Sequence, residues 1–120
     1  MAKYFNEEEF ACQYTGKNEI SSELIDKLDE LREACGFPFV ITSGYRDKTH
    51  PVEAKKAKPG TGTHAQGIAA EIKVNNVLQR FKIVEEAIKL GFTGIGVARS
   101  FVHVDSRSPD DTTPYVMWTY

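Results

Sequence analysis

The stretch "THAQGIAAEIKV", residues 63–74, changes character partway along. From Ile68 the residues alternate in strand fashion, so that Ile68, Ala70, Ile72 and Val74 face one side and Gly67, Ala69 and Glu71 the other. Two polar residues stand out among small and apolar neighbours: His64 in the approach and Glu71 inside the strand. Neither is needed to make a strand, so both are candidates for chemistry.

Upstream, "NEEEF" (6–10) reads as a short helix capped by Asn6. "SSELIDKLDELREACG" (21–36) is a stronger helix. Ser21 or Ser22 can cap it, Leu24, Ile25, Leu28 and Leu31 recur at helical spacing, and Gly36 supplies a left-handed stop. "FVITS" (39–43) reads as a short buried strand. "HPVEAKKAK" (50–58) reads as a helix with Pro51 in its first turn, and "PGTGT" (59–63) as a flexible loop.

Downstream, the helix from Asn76 to Leu90 is expected to pack through Val77, Phe81, Val84 and Ile88, and Gly91 ends it. "GIGVA", "FVHVD" and "YVMWTY" are three strand-like runs separated by turn residues. The sum predicts one α+β domain over residues 1–120, a small and mostly antiparallel sheet with flanking helices, the sheet carrying the polar motifs.

The bulk composition excludes several functions. A net charge of -2 leaves no basic footprint for nucleic acid. No apolar run approaches the ~20 residues of a membrane helix. The acidic opening "MAKYFNEEEF" has no apolar signal-peptide core, so synthesis in a cytoplasm without a signal peptide is expected. Cys12 and Cys35 stand in no metal-ligand spacing and are expected as reduced, half-buried thiols. A monomer is expected.

Of the three histidines, two stand where strands place them usefully. In "FVHVD" (101–105), Val102 and Val104 point to the core, which sets Phe101, His103 and Asp105 on the opposite face. His64, Glu71 and His103 together make two imidazoles and a carboxylate, a ligand set suited to a catalytic zinc ion with one open position. The alternative is three ordinary surface residues, because His-x(6)-Glu followed much later by His is not by itself a metal motif.

The order and separation of "SGYR" (43–46) and His-x-x-Gly-x-Ala-x-acid-Ile (64–72) resemble the M15 family of zinc peptidases. That family comprises D-Ala-D-Ala carboxypeptidases and L-Ala-D-Glu endopeptidases, and the chain is similar to its compact type common in bacteriophage genomes. The similarity extends through "KYFNEEEFAC", "LDELREACGFPFVITSGYR", "HPVEAKK", "GFTGIGV", "FVHVD" and "WTY". It implies a Hedgehog/DD-peptidase-like fold, Zn2+ held by His64, Glu71 and His103, and Arg46 as the arginine that contacts the substrate carbonyl or carboxylate. It implies a peptidoglycan stem peptide as substrate and a phage lysin acting on the cell wall after release. A zinc- and peptide-binding module with weakened hydrolysis is the competing expectation.

Two positions depart from the family pattern. The acidic ligand is normally aspartate and here is Glu71, whose extra methylene moves the carboxylate by roughly 1.5 Å. The residue that serves as general base in well-known branches falls on Ser100 or Phe101, neither of which can take that role. Asp105 is the local substitute. It is expected either as that base or as a carboxylate orienting His103. Ser43 is either a substrate contact or a strand-end hydroxyl bonded to backbone. His50 stands close in sequence to Arg46 and could touch substrate, although a helix-start role on the surface suits it better. Lys55, Lys56 and Lys58 read as a solvated helix face, and Trp118 as core packing in preference to a groove wall.

Overall fold

The computed structural model describes residues 3–108 and 114–120. A short 3-10 helix, Glu7–Phe10, opens the chain, and the Glu9 carboxylate accepts from the Asn6 N–H at 2.8 Å. Helix α1 follows over Ser22–Cys35. The Ser21 hydroxyl caps it by accepting from the Leu24 N–H, and Gly36 ends it at φ 78°. Strand β1 (Ile41–Ser43), helix α2 (Pro51–Ala54), strand β2 (Ala69–Lys73) and helix α3 (Val77–Lys89) come next. Strands β3 (Gly94–Val97), β4 (Phe101–Asp105) and β5 (Val116–Thr119) complete the fold.

The five strands form one sheet in the order β1-β2-β4-β3-β5. Pairs β1–β2, β2–β4 and β3–β4 are antiparallel, whereas β3–β5 is parallel. The α+β class is as expected, but the sheet is mixed rather than mostly antiparallel. The cause is topological. The chain leaves β4 where β3 begins, since Asp105 lies opposite Gly94, and it enters β5 at the same end, where Val116 pairs with Gly94. A strand entered from that end must run with β3.

Helices α1 and α3 pack together, and α3 covers β3 and β4. Leu24, Leu28, Leu31, Ile83, Ile72, Val102 and Val104 are almost fully enclosed between helices and sheet. The seam of α3 is not the expected one. Val77, Phe81 and Ile88 are exposed, and Ile83 and Ala87 are the buried pair, with Val84 and Leu90 partly covered. The apolar arc of α3 is wide enough to offer two faces. The face chosen carries Ala87, which allows close approach to the sheet.

Two elements are shorter than their patterns suggest. Strand β1 covers only Ile41–Ser43, because it is an edge strand with a register shift between Ile41 and Ser43. Helix α2 stops at Ala54, where the chain turns back towards Glu53 instead of continuing through the lysines. Cys12 and Cys35 are free and buried. Among the described residues, no helix is long and apolar enough to cross a membrane.

Candidate metal centre

The face of the sheet turned away from the helices carries a row of residues set by register. Ser43 lies opposite Glu71, Glu71 opposite His103, His103 opposite Gly96, and Gly96 opposite Trp118. Strand pairing thus delivers Glu71 and His103 side by side on adjacent strands.

His64 arrives from the loop before β2. Gly67, at φ 74°, turns the chain from His64 into the strand and lies so close to the Glu19 carbonyl that any side chain there would collide. The His64 carbonyl accepts from the backbone N–H groups of Arg46 and Gly67, both at 3.2 Å. Its ring donates from Nδ1 to the Gly44 carbonyl at 2.8 Å, which leaves the lone pair on Nε2. This Nε2 is buried, finds no hydrogen-bond donor, and lies 3.5 Å from Glu71 Oε2. A buried ring nitrogen in that state is costly unless a ligand completes it.

One ligating atom from each of His64, Glu71 and His103 lies within 4.8 Å of the others. The two imidazoles meet edge-on, with centroids 5.0 Å apart. Two nitrogens and one carboxylate oxygen converging in this way fit a zinc ion. Burial by itself would raise the Glu71 carboxyl, but His64, Arg46 and His103 outweigh it and hold the group below its ordinary value. For His103, burial dominates and pushes the imidazole below its ordinary value against the pull of Asp105, which favours the neutral form that a metal ligand needs.

Behind His103 stands Asp105, which is fully buried. His103 donates from Nε2 to Asp105 Oδ2 at 2.7 Å, which leaves Nδ1 with the lone pair. Arg107 grips the same carboxylate with Nε and Nη2 at 2.9 and 2.7 Å, and its backbone N–H adds a third contact at 3.1 Å. Burial would raise the Asp105 carboxyl, yet Arg107 and His103 overcome it and hold the group far below the carboxylate range. Gly94 makes room for this carboxylate, which a side chain on Gly94 would overlap.

Arg46 lies on the other flank of the triad. Its Nε donates to Ser43 Oγ at 3.1 Å and its Nη2 to Glu71 Oε2 at 3.1 Å. Ser43 is thus a brace for Arg46. His50 caps α2, where its Nδ1 accepts from the Val52 N–H at 3.2 Å and its ring packs on Tyr14.

The triad opens into a cleft of about 650 Å³, within the range of small-ligand sites. Arg46, Lys56, Arg107, Phe101, Trp118 and the 61–63 segment line it together with the triad, and His50 is not among its walls. Trp118 is a wall of this cleft and not a core residue. Its indole lies 4.9 Å from the His103 ring and beneath the Arg107 guanidinium. Gly96 permits this position, since a Cβ there would come within 2.7 Å of the indole. Tyr120 packs on Phe101 beside it.

The peptidase M15 family model matches residues 3–105, which include Arg46 and the whole triad. The chain belongs to the peptidase M15 family. No curated protein matches it. Membership implies a hydrolase of the metallopeptidase kind, and M15 peptidases are zinc-dependent, which agrees with the donor set of the triad. Arg107 and Trp118 lie beyond the matched segment, so one wall of this M15 cleft comes from the chain that follows it. The sequence does not single out Arg107, and for Trp118 it favours core packing over the groove wall that the structure shows. The Gly-Ile-Gly pattern of β3, with small residues on one face, was the available signal that something bulky lies over that face.

Proposed function

We propose that this protein is a zinc-dependent peptidase that hydrolyses peptidoglycan stem peptides, of the D-Ala-D-Ala carboxypeptidase or L-Ala-D-Glu endopeptidase type. The observation that carries the reading is the buried, unpartnered Nε2 of His64, set beside Glu71 and His103 at the floor of a cleft. His64, Glu71 and His103 would hold the ion. Zinc bound there supplies Lewis acidity towards a peptide carbonyl and makes water nucleophilic near neutral pH.

The chain's own residues supply orientation and charge. Arg46 is held by Ser43 and Glu71, and its planar fork suits the carbonyl or carboxylate of a peptide that enters beside Glu71. Asp105 fixes the tautomer of His103 and shares its oxygens with Arg107, so we assign it the orienting role and not that of general base. Trp118 and Phe101 offer apolar surface against which a peptide backbone or methyl side chain can lie. Stem peptides, with their alanine methyls and free carboxylates, match a cleft of this composition. A phage lysin released onto the wall is the setting we propose for it.

A second reading, a zinc- and peptide-binding module with weakened hydrolysis, draws on one observation. Among the described residues, Glu71 is the only carboxylate lining the cleft, because Asp105 is sealed behind His103. Metal analysis followed by turnover separates the two. The purified protein is loaded with zinc and incubated with peptidoglycan and stem peptides of several crosslink types, and new termini are identified by mass spectrometry. One zinc per chain and defined new termini are expected. Stoichiometric zinc without cleavage establishes the binding module instead, and a chain that takes up no zinc overturns both.

A further inference from the structure

Glu53 is a fully buried carboxylate that plays no part in the triad. Its Oε2 accepts from the backbone N–H groups of Gly60 and Gly62 at 2.9 and 3.0 Å. Its Oε1 meets Lys56 Nζ at 2.9 Å, an ion pair without hydrogen-bond alignment. Gly62 lies flat against this pair, where a Cβ would come within 2.6 Å of Oε1. Burial would raise the Glu53 carboxyl, but Lys56 and the two glycine amides prevail and keep it ionised. One buried acid therefore closes the loop from α2 to Thr63 and fixes where Lys56 stands.

That position is functional ground. Lys56 lines the same cleft as the triad, together with Thr61, Gly62 and Thr63. Among the described residues, three lysine and arginine side chains line the cleft, and they are not equally engaged. Arg46 donates to Glu71 and Ser43, and Arg107 is spent doubly on Asp105. The ammonium of Lys56 has three donors, a side chain 43% exposed, and one unaligned partner behind it. The hydrogens not turned towards Glu53 are left for an acceptor arriving through the cleft. The two glycine amides share the Glu53 charge, so the pair still presents a positive face outward.

We propose that Lys56, braced by Glu53, is a specificity-determining residue that binds a carboxylate of the substrate in addition to the group facing Arg46. The proposal rests on the peptidase reading above and names its substrate more closely. The preferred stem peptide carries a free carboxylate on its D-glutamyl residue, and the carboxamide form is discriminated against. Lys56 acts on binding and not on the chemical step.

The test uses two stem peptides identical except for carboxylate or carboxamide at the D-glutamyl residue. Affinity for the zinc-loaded protein is read from Trp118, the single tryptophan, which lines the cleft, and kcat and KM are measured alongside. One charge-assisted contact predicts about a tenfold preference for the acidic peptide, seen in Kd and KM with kcat unchanged. Lys56→Met should abolish the preference and Lys56→Arg should keep most of it. Because Lys56→Met leaves Glu53 without its cation, the double variant Glu53→Gln/Lys56→Met is measured too, with zinc stoichiometry as the check on folding. It should also bind both peptides alike. Equal affinity of the parent for both peptides, or a preference that survives in both Met variants, overturns the proposal and leaves the peptidase reading standing. Binding of neither peptide overturns the stem-peptide reading and the proposal with it.

Discussion

The two faces of the sheet are built by the same strands under opposite rules. In β4, Val102 and Val104 enter the helix-covered side, where any apolar side chain of the right volume satisfies the packing. His103 and Asp105 alternate with them and are equally enclosed, yet each of their polar atoms needs a specific partner. The apolar face tolerates exchange. The polar face holds a chain of dependence, in which Arg107 fixes Asp105, Asp105 fixes His103, and His103 stands beside Glu71 and His64. Stability is concentrated on one side and chemistry on the other.

The strongest way to break the comparison is to remove a ligand from the polar face. His64→Ala should lose stoichiometric zinc in metal analysis and lower stem-peptide hydrolysis by about a thousandfold, roughly 4 kcal/mol of barrier. The metal-free protein should lose only about 1 kcal/mol in urea unfolding, the worth of the ring's bond to the Gly44 carbonyl. The apolar face should answer in reverse. Ile72→Ala, at a fully buried position, should cost about 2–5 kcal/mol in denaturant unfolding and leave zinc stoichiometry intact wherever the protein remains folded.

A smaller effect tests the orienting carboxylate. Asp105→Asn should weaken zinc affinity by about 10- to 100-fold in a chelator competition without removing the site. The pH dependence has a definite sign. Asp105 is held well below its ordinary value, so its contribution to stability is complete above the unfolded pKa of about 3.9. It is lost as pH falls further, through the depressed folded pKa. The stability gap between parent and Asp105→Asn should therefore be constant from pH 7 to 5 and shrink below about pH 4. The smallest effect is expected at Glu71→Asp, with activity equal to or above the parent; a collapse would mean that Arg46 and His64 are spaced for the longer side chain.

Legibility followed the same division. Helix α1 could be read residue by residue, from its Ser21 cap to its Gly36 stop, because local periodicity and capping decide it. His64, Glu71, His103 and Arg46 were legible through motif order, and the fold brings them to one cleft. The seam of α3 was misread, because its apolar arc permits two faces and only contact with the sheet selects Ile83 and Ala87. Lys56 looked like one of three solvated lysines, because the return of Gly60 and Gly62 to Glu53 is a loop closure that no periodicity reports. Trp118 looked like core for a similar reason: its side of the sheet depends on β5 joining β3 in parallel.

The sequence by itself determined the helices, the alternation that separates the two faces of β2 and β4, and the identity of the donors. Those properties are local, set by dihedral preference, period and side-chain chemistry. Tertiary structure alone decided which nitrogen of His64 is left unpartnered, that Asp105 is sealed behind His103, and that Arg107, Lys56 and Trp118 complete the cleft. These depend on strand order, register and loop return, which join residues far apart in the chain, and the competition of buried polar groups for partners is settled only once they meet.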